Sequence, residues 1–174
     1  MKKLIRLTIF LSLPFAVYSC NKIESLPAEP YIEYRSFEIF DTVDILGNSN
    51  KGGRLKFYFE DGDGDVGLDP STGEESDSNN LIITPFRKIN GSMVQVLRDT
   101  VNPDPFFISS FRIPYMEKLG QNKILKGIIE VTFKYSFFSV YDTIKYDFYI
   151  TDRAFNRSNT VSTNEIIVGE NNVY

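Results

Sequence analysis

The chain has 174 residues, with 19 basic and 23 acidic side chains, one cysteine, and neither histidine nor tryptophan. Without histidine the commonest general base and transition-metal ligand is excluded, and a lone cysteine cannot close an internal disulfide. Fifteen phenylalanines and ten tyrosines supply the apolar area of a packed core and argue against disorder.

The first twenty residues follow the order of a secretory signal peptide. A basic start (Lys2, Lys3, Arg6) leads into an apolar run over residues 7–17, broken by Pro14, and then into Val17-Tyr18-Ser19-Cys20. The run is too short for a transmembrane helix, which needs roughly 20 apolar residues. Val17, Ser19 and Cys20 resemble the lipobox of bacterial lipoproteins, and Tyr18 departs from the Ala or Ser usual at its position. That resemblance implies removal of residues 1–19, acylation of Cys20, and a membrane as the partner of its lipid. An ordinary signal peptide with a chance cysteine would instead leave an exported free thiol unexplained. Buried acyl chains contribute about 0.8 kcal/mol per CH₂, and two or more chains anchor stably.

Loss of residues 1–19 removes Lys2, Lys3 and Arg6 and no acid, leaving 16 basic against 23 acidic side chains and a net charge of −7. That balance disfavours nucleic acid, whose binding depends on clustered Lys and Arg. With the thiol acylated, cysteine nucleophiles and zinc–thiolate sites are excluded too. The organisation expected is a signal peptide (1–19), a lipidated tether (20–30) with two prolines and no periodicity, and one domain (31–170).

From Tyr31 onward the pattern is β. Residues 55–59 alternate, with Leu55, Phe57 and Phe59 on one face. Residues 81–83, 93–97 and 106–113 are further short strand candidates. Residues 124–135 form a longer one, with Leu125, Gly127, Ile129, Val131 and Phe133 on a common side. Residues 143–150 place Ile144, Tyr146, Phe148 and Ile150 opposite Thr143, Lys145, Asp147 and Tyr149, and residues 160–168 suit a last strand. Residues 127–135 and 142–151 read as a hairpin. Short strands separated by turn residues, with no sustained helical period, predict an all-β antiparallel sandwich.

One stretch breaks the composition. Residues 60–80 contain Glu60, Asp61, Asp63, Asp65, Asp69, Glu74, Glu75 and Asp77 and no Lys or Arg. In Asp61-Gly62-Asp63-Gly64-Asp65 the glycines let the backbone curl while the carboxylates converge. Six to eight oxygens at 2.3–2.6 Å is what Ca²⁺ requires, and alternate spacing is how calcium loops supply them. The segment is similar to the loops of EF-hands and thrombospondin type 3 repeats at Asp61, Asp63, Asp65 and Asp69. Val66 stands where those loops carry Gly, Thr72 stands in place of the closing Glu, and no helices flank it, so a full EF-hand is rejected. Two readings stay open: one Ca²⁺ held by Asp61, Asp63, Asp65 and Asp69, or a solvated acidic turn.

Residues 151–159 (TDRAFNRSN) form a polar turn between the last two strands, in which Arg153 and Arg157 read as solvated rather than ligand-binding. Three blocks, FEDGDGDVGLD (59–69), IPYMEKLGQNKILKGIIEV (113–131) and ITDRAFNRSNTVSTNEIIV (150–168), resemble a group of uncharacterised Bacteroidota lipoproteins. The last is also similar to the Asp-x-Ala-Gly-Asn-x-Ser turn of bacterial immunoglobulin-like domains, with Phe155 at the glycine. The resemblance implies an immunoglobulin-like sandwich and an outer-membrane address, on the periplasmic or the surface face. It implies no activity.

The function expected is therefore a non-enzymatic, lipid-anchored envelope module for binding or assembly, with an envelope protein or a glycan as partner. The alternative is a glycan- or peptide-binding accessory of an uptake system, weakened by the absence of Trp. A carboxylate-dependent glycosidase is disfavoured because the aspartates are too closely spaced on one turn to oppose an acid and a base.

Overall fold

In a computed structural model, the structure describes residues 25–69, 79–117, 123–135, 138–139 and 141–174. The signal segment, Cys20, Thr72, Glu74, Glu75 and Asp77 lie outside the described residues. Among the described residues there is no helix, and nine strands form two antiparallel sheets. The first sheet has the order β1-β2-β6, from β1 (Tyr31–Val43), β2 (Ser49–Asp61) and β6 (Leu125–Tyr135). The second has the order β4-β3-β7-β8, from β3 (Leu81–Ile89), β4 (Ser92–Gln95), β7 (Thr143–Ile150) and β8 (Val161–Ser162). To it β5 (Ser110–Phe111) adds on β3 and β9 (Ile166–Ile167) adds on β7. The chain is an all-β antiparallel sandwich, as its alternation predicts.

The inward rows make the core. Leu55, Phe57 and Phe59 of β2 and Ile144, Tyr146, Phe148 and Ile150 of β7 are buried, and Phe37 of β1 and Phe133 of β6 join them. Across the gap, Phe57 meets Phe148 with ring centroids 5.2 Å apart, and Phe133 meets Tyr146 at 5.4 Å. Tilted aromatic pairs at this range add about 0.5–1.5 kcal/mol each beyond the area they bury.

The expected hairpin between residues 127–135 and 142–151 does not form. β6 pairs with β2, placing Gly127 opposite Phe59, and β7 pairs with β3, placing Leu81 opposite Ile150. Seven residues separate Tyr135 from Thr143, more than the two-to-five-residue loops of ordinary hairpins. The two apolar rows face each other across the core instead of lying side by side.

Two strand candidates are shorter than expected. In residues 106–113 only Ser110 and Phe111 join a ladder, because Asp104 accepts the backbone N–H of Phe106 at its carboxylate (2.9 Å) and of Phe107 at its carbonyl (3.0 Å), curling the chain. In residues 160–168 the ladder breaks at Thr163, whose hydroxyl takes the place of a carbonyl and accepts the Tyr146 N–H at 3.0 Å.

The packed unit extends past both expected ends. Phe37 and Tyr174 exchange backbone hydrogen bonds of 3.0 and 2.8 Å, laying the C-terminus along the outer edge of β1. At the other end, Pro27 accepts the Gly62 N–H at 2.9 Å, so the last part of the tether is docked on the acidic loop.

Gly53 of β2 sits against the Phe37 ring: an added Cβ would lie 2.6 Å from it and 2.9 Å from the Tyr135 ring. Both rings are fully buried. Gly53→Ala should therefore destabilise the domain by about 1–3 kcal/mol through overpacking, read as a lower midpoint in urea with an unchanged slope.

Candidate metal centre

Asp61 is the last residue of β2, and the alternation that buries Leu55, Phe57 and Phe59 buries it as well, to 1% exposure. Asp152 stands in the same relation to β7. It continues the row Ile144, Tyr146, Phe148, Ile150 and is 2% exposed. Each sheet thus ends an apolar row in a carboxylate, and the two meet at one end of the core.

The loop after β2 folds back on Asp61. Its Oδ2 accepts the backbone N–H groups of Asp65 (2.7 Å) and Val66 (3.0 Å). Gly64 and Gly67 adopt φ of +69° and +97°, the left-handed region that favours glycine. Gly62 is required for a different reason, since a Cβ there would fall on the carbonyl oxygens of Leu26 and Pro27. The turn after β7 is closed by Asp152, whose carboxylate accepts the N–H (2.7 Å) and side-chain amide (2.8 Å) of Asn156. Arg153 joins the two turns, donating its N–H to the Asp65 carbonyl (3.3 Å) and its guanidinium to the Gly67 carbonyl (3.1 Å).

Asp61, Asp63, Asp65 and Asp152 each offer a carboxylate oxygen, and these oxygens all lie within 4.8 Å of one another. Ligands at 2.3–2.6 Å from a cation lie at most about 4.6–5.2 Å apart, so the group has the span of one coordination shell. Asp61 Oδ1 and Asp65 Oδ1 are buried with no hydrogen-bond partner, an expensive arrangement for carboxylates unless a cation completes it. The donors are all oxygen, which suits a hard cation. The cluster could hold a metal ion.

The mutual electrostatics of these carboxylates are unfavourable. Burial pushes the Asp65 carboxyl up to about 6, helped by the charges of Asp152, Asp63 and Asp61 and opposed by Arg153. Burial also raises Asp61, against the lowering effect of the Val66 and Asp65 N–H groups.

Of the four sequence-predicted ligands, the structure brings together Asp61, Asp63 and Asp65 and leaves Asp69 out. Asp69 is exposed, and its carbonyl accepts from the Arg112 guanidinium. The chain turns away at Gly67 and Leu68, where the Leu68 N–H donates to the Ile113 carbonyl at 2.9 Å. Asp152 takes the fourth place. Loop spacing could not find it; extending the β7 alternation by one step past Ile150 would have placed it on the core side.

The turn bearing Asp152 also carries Phe155 at φ +66°, 86% exposed. A side chain in the left-handed region costs roughly 1–2 kcal/mol, yet the turn keeps the geometry expected with glycine at that position.

Comparison with protein-family models, curated proteins and solved structures finds no match to this chain.

A raised Asp65 pKa means that the metal-free folded state binds more protons than the unfolded state between about 4 and 6. This contribution to stability is present below the ordinary carboxyl pKa of 3.8 and is lost as pH rises through about 6. In EDTA, Asp65→Asn should therefore gain melting temperature relative to the wild type as pH is raised from 4 to 7, measured by circular dichroism.

Proposed function

We propose that the protein is a non-enzymatic, lipid-anchored module of the cell envelope, acylated at Cys20, with one Ca²⁺ bound by Asp61, Asp63, Asp65 and Asp152. The observation that carries the calcium reading is the convergence of four carboxylates from both sheets, two of them with buried, unpartnered oxygens. Ca²⁺ tolerates the irregular, carboxylate-rich shell that a strand end and two turns provide, whereas Mg²⁺ demands octahedral geometry and retains its waters. The ion acts as a joint between the two sheets at the end of the sandwich where the tether docks.

Catalysis by these carboxylates is disfavoured by their burial: at 1% and 2% exposure, Asp61 and Asp152 are out of a substrate's reach. Phe37, Phe57, Phe148 and Tyr146 lie in the core, where they cannot serve as a sugar platform. The reading that remains is a scaffold presenting a binding or assembly surface to another envelope component, held in the outer membrane on its periplasmic or surface face.

Saturating Ca²⁺ at about 100 times its dissociation constant should stabilise the EDTA-treated protein by about 2.7 kcal/mol, a rise in melting temperature of roughly 5–10 °C for a domain of this size. Asp152→Asn should abolish most of that rise. An unmoved wild-type melting temperature would remove the calcium reading.

The anchor is tested separately. Cys20→Ser should shift the protein from the membrane fraction to the soluble fraction and eliminate incorporation of labelled palmitate. Unchanged membrane fractionation would refute acylation as the means of attachment.

A further inference from the structure

Three elements meet at the metal end of the sandwich. The chain arriving from Cys20 docks there through Pro27 on Gly62. The start of β1 is fixed beside the β7–β8 connection, where the Asn159 side chain accepts the Ile32 N–H (2.8 Å) and donates to the Ile32 carbonyl (2.9 Å). The turn after β7 projects from the same end and is closed at its base by the bridge between Thr151 and Arg157.

Near the tip of that turn, Phe155 is 86% exposed at φ +66°. It does no packing work that would explain a large apolar side chain where glycine fits the backbone better. Two residues to either side of it in the chain, Arg153 and Arg157 each pair with an aromatic ring. The Arg157 guanidinium lies 3.7 Å from the centre of the Tyr149 ring and Arg153 lies 5.1 Å from that of Tyr115. An exposed apolar ring flanked in sequence by arginines that pair with tyrosines has the composition of a membrane–water interface, where the ring enters the acyl boundary and cations remain among headgroups.

We propose that Phe155 is a membrane-contact residue, seating the metal end of the domain on the bilayer that holds the lipid of Cys20. The inference rests on the acylation of Cys20 proposed above. Only four residues lie between Cys20 and Ser25, the first described residue, so the five steps reach at most about 18 Å when fully extended. The anchor therefore keeps this end near the lipid. The opposite end, with Leu46 in the β1–β2 turn, stands farther off by the length of the 13-residue β1, about 40 Å. A bound divalent cation offsets part of the charge of the four aspartates and so weakens the cluster's repulsion from anionic headgroups.

The absence of tryptophan makes the test direct. Phe155→Trp and Leu46→Trp each introduce a single indole at an exposed site. The full-length lipoprotein carrying either substitution is reconstituted, in calcium-containing buffer, into phosphatidylcholine vesicles with brominated acyl chains. The Phe155→Trp protein should lose more than about half its emission, as expected for a ring seated about 5–10 Å into the headgroup and acyl boundary, while the Leu46→Trp protein keeps its emission. Unquenched Phe155→Trp emission in protein that floats with the vesicles, or equal quenching at both positions, would overturn the inference and leave the anchor standing. Protein that does not float with vesicles would instead refute the anchor, and this inference with it.

Discussion

The alternation of β2 and β7 is the constraint on which the rest of this structure depends. Both strands place every second residue in the core, and neither stops at its last apolar side chain. One step past Phe59 comes Asp61, and one step past Ile150 comes Asp152, each buried by the same period that buries the rings before it. Because the strands belong to opposite sheets, the two carboxylates arrive at one end of the core from both sides. Everything local to that end responds to them: the return of the loop amides to Asp61, the Asn156 clasp on Asp152, and the Arg153 bridge between the turns.

Most of the architecture was legible because it is carried by short-range periodicity. The inward rows of β2, β6 and β7 could be read residue by residue, and the structure buries or half-buries the same side chains. What alternation cannot supply is the partner of each strand. β6 and β7 are successive and both amphipathic, which suits a hairpin and a sandwich equally well; only the core tells them apart, where Phe133 meets Tyr146 from the facing sheet. Thr163 illustrates a second limit. Its hydroxyl competes with the backbone for the Tyr146 N–H and splits a strand that its neighbours would have continued.

The candidate site divides along the same line. Asp61, Asp63 and Asp65 are neighbours in sequence, and glycine spacing was enough to bring them together. Asp69, four residues past Asp65, is left out, because Gly67 and the Leu68 contact with Ile113 redirect the chain before it can return. Asp152 shares no spacing with the loop and reaches it through tertiary structure alone. A motif confined to one loop describes the ligands that loop can offer, and an inter-sheet site draws on a second element that no such motif contains.

Placing the carboxylates between sheets has an energetic consequence beyond ligand supply. An ion held within one loop stabilises that loop, whereas an ion held by Asp61 and Asp152 together ties the end of β2 to the end of β7 and so resists separation of the two sheets. Gly62 extends the connection to the incoming chain, since any side chain there would collide with the carbonyls of Leu26 and Pro27. The carboxylates by themselves work in the opposite sense, with burial and mutual repulsion pushing Asp65 up to about 6.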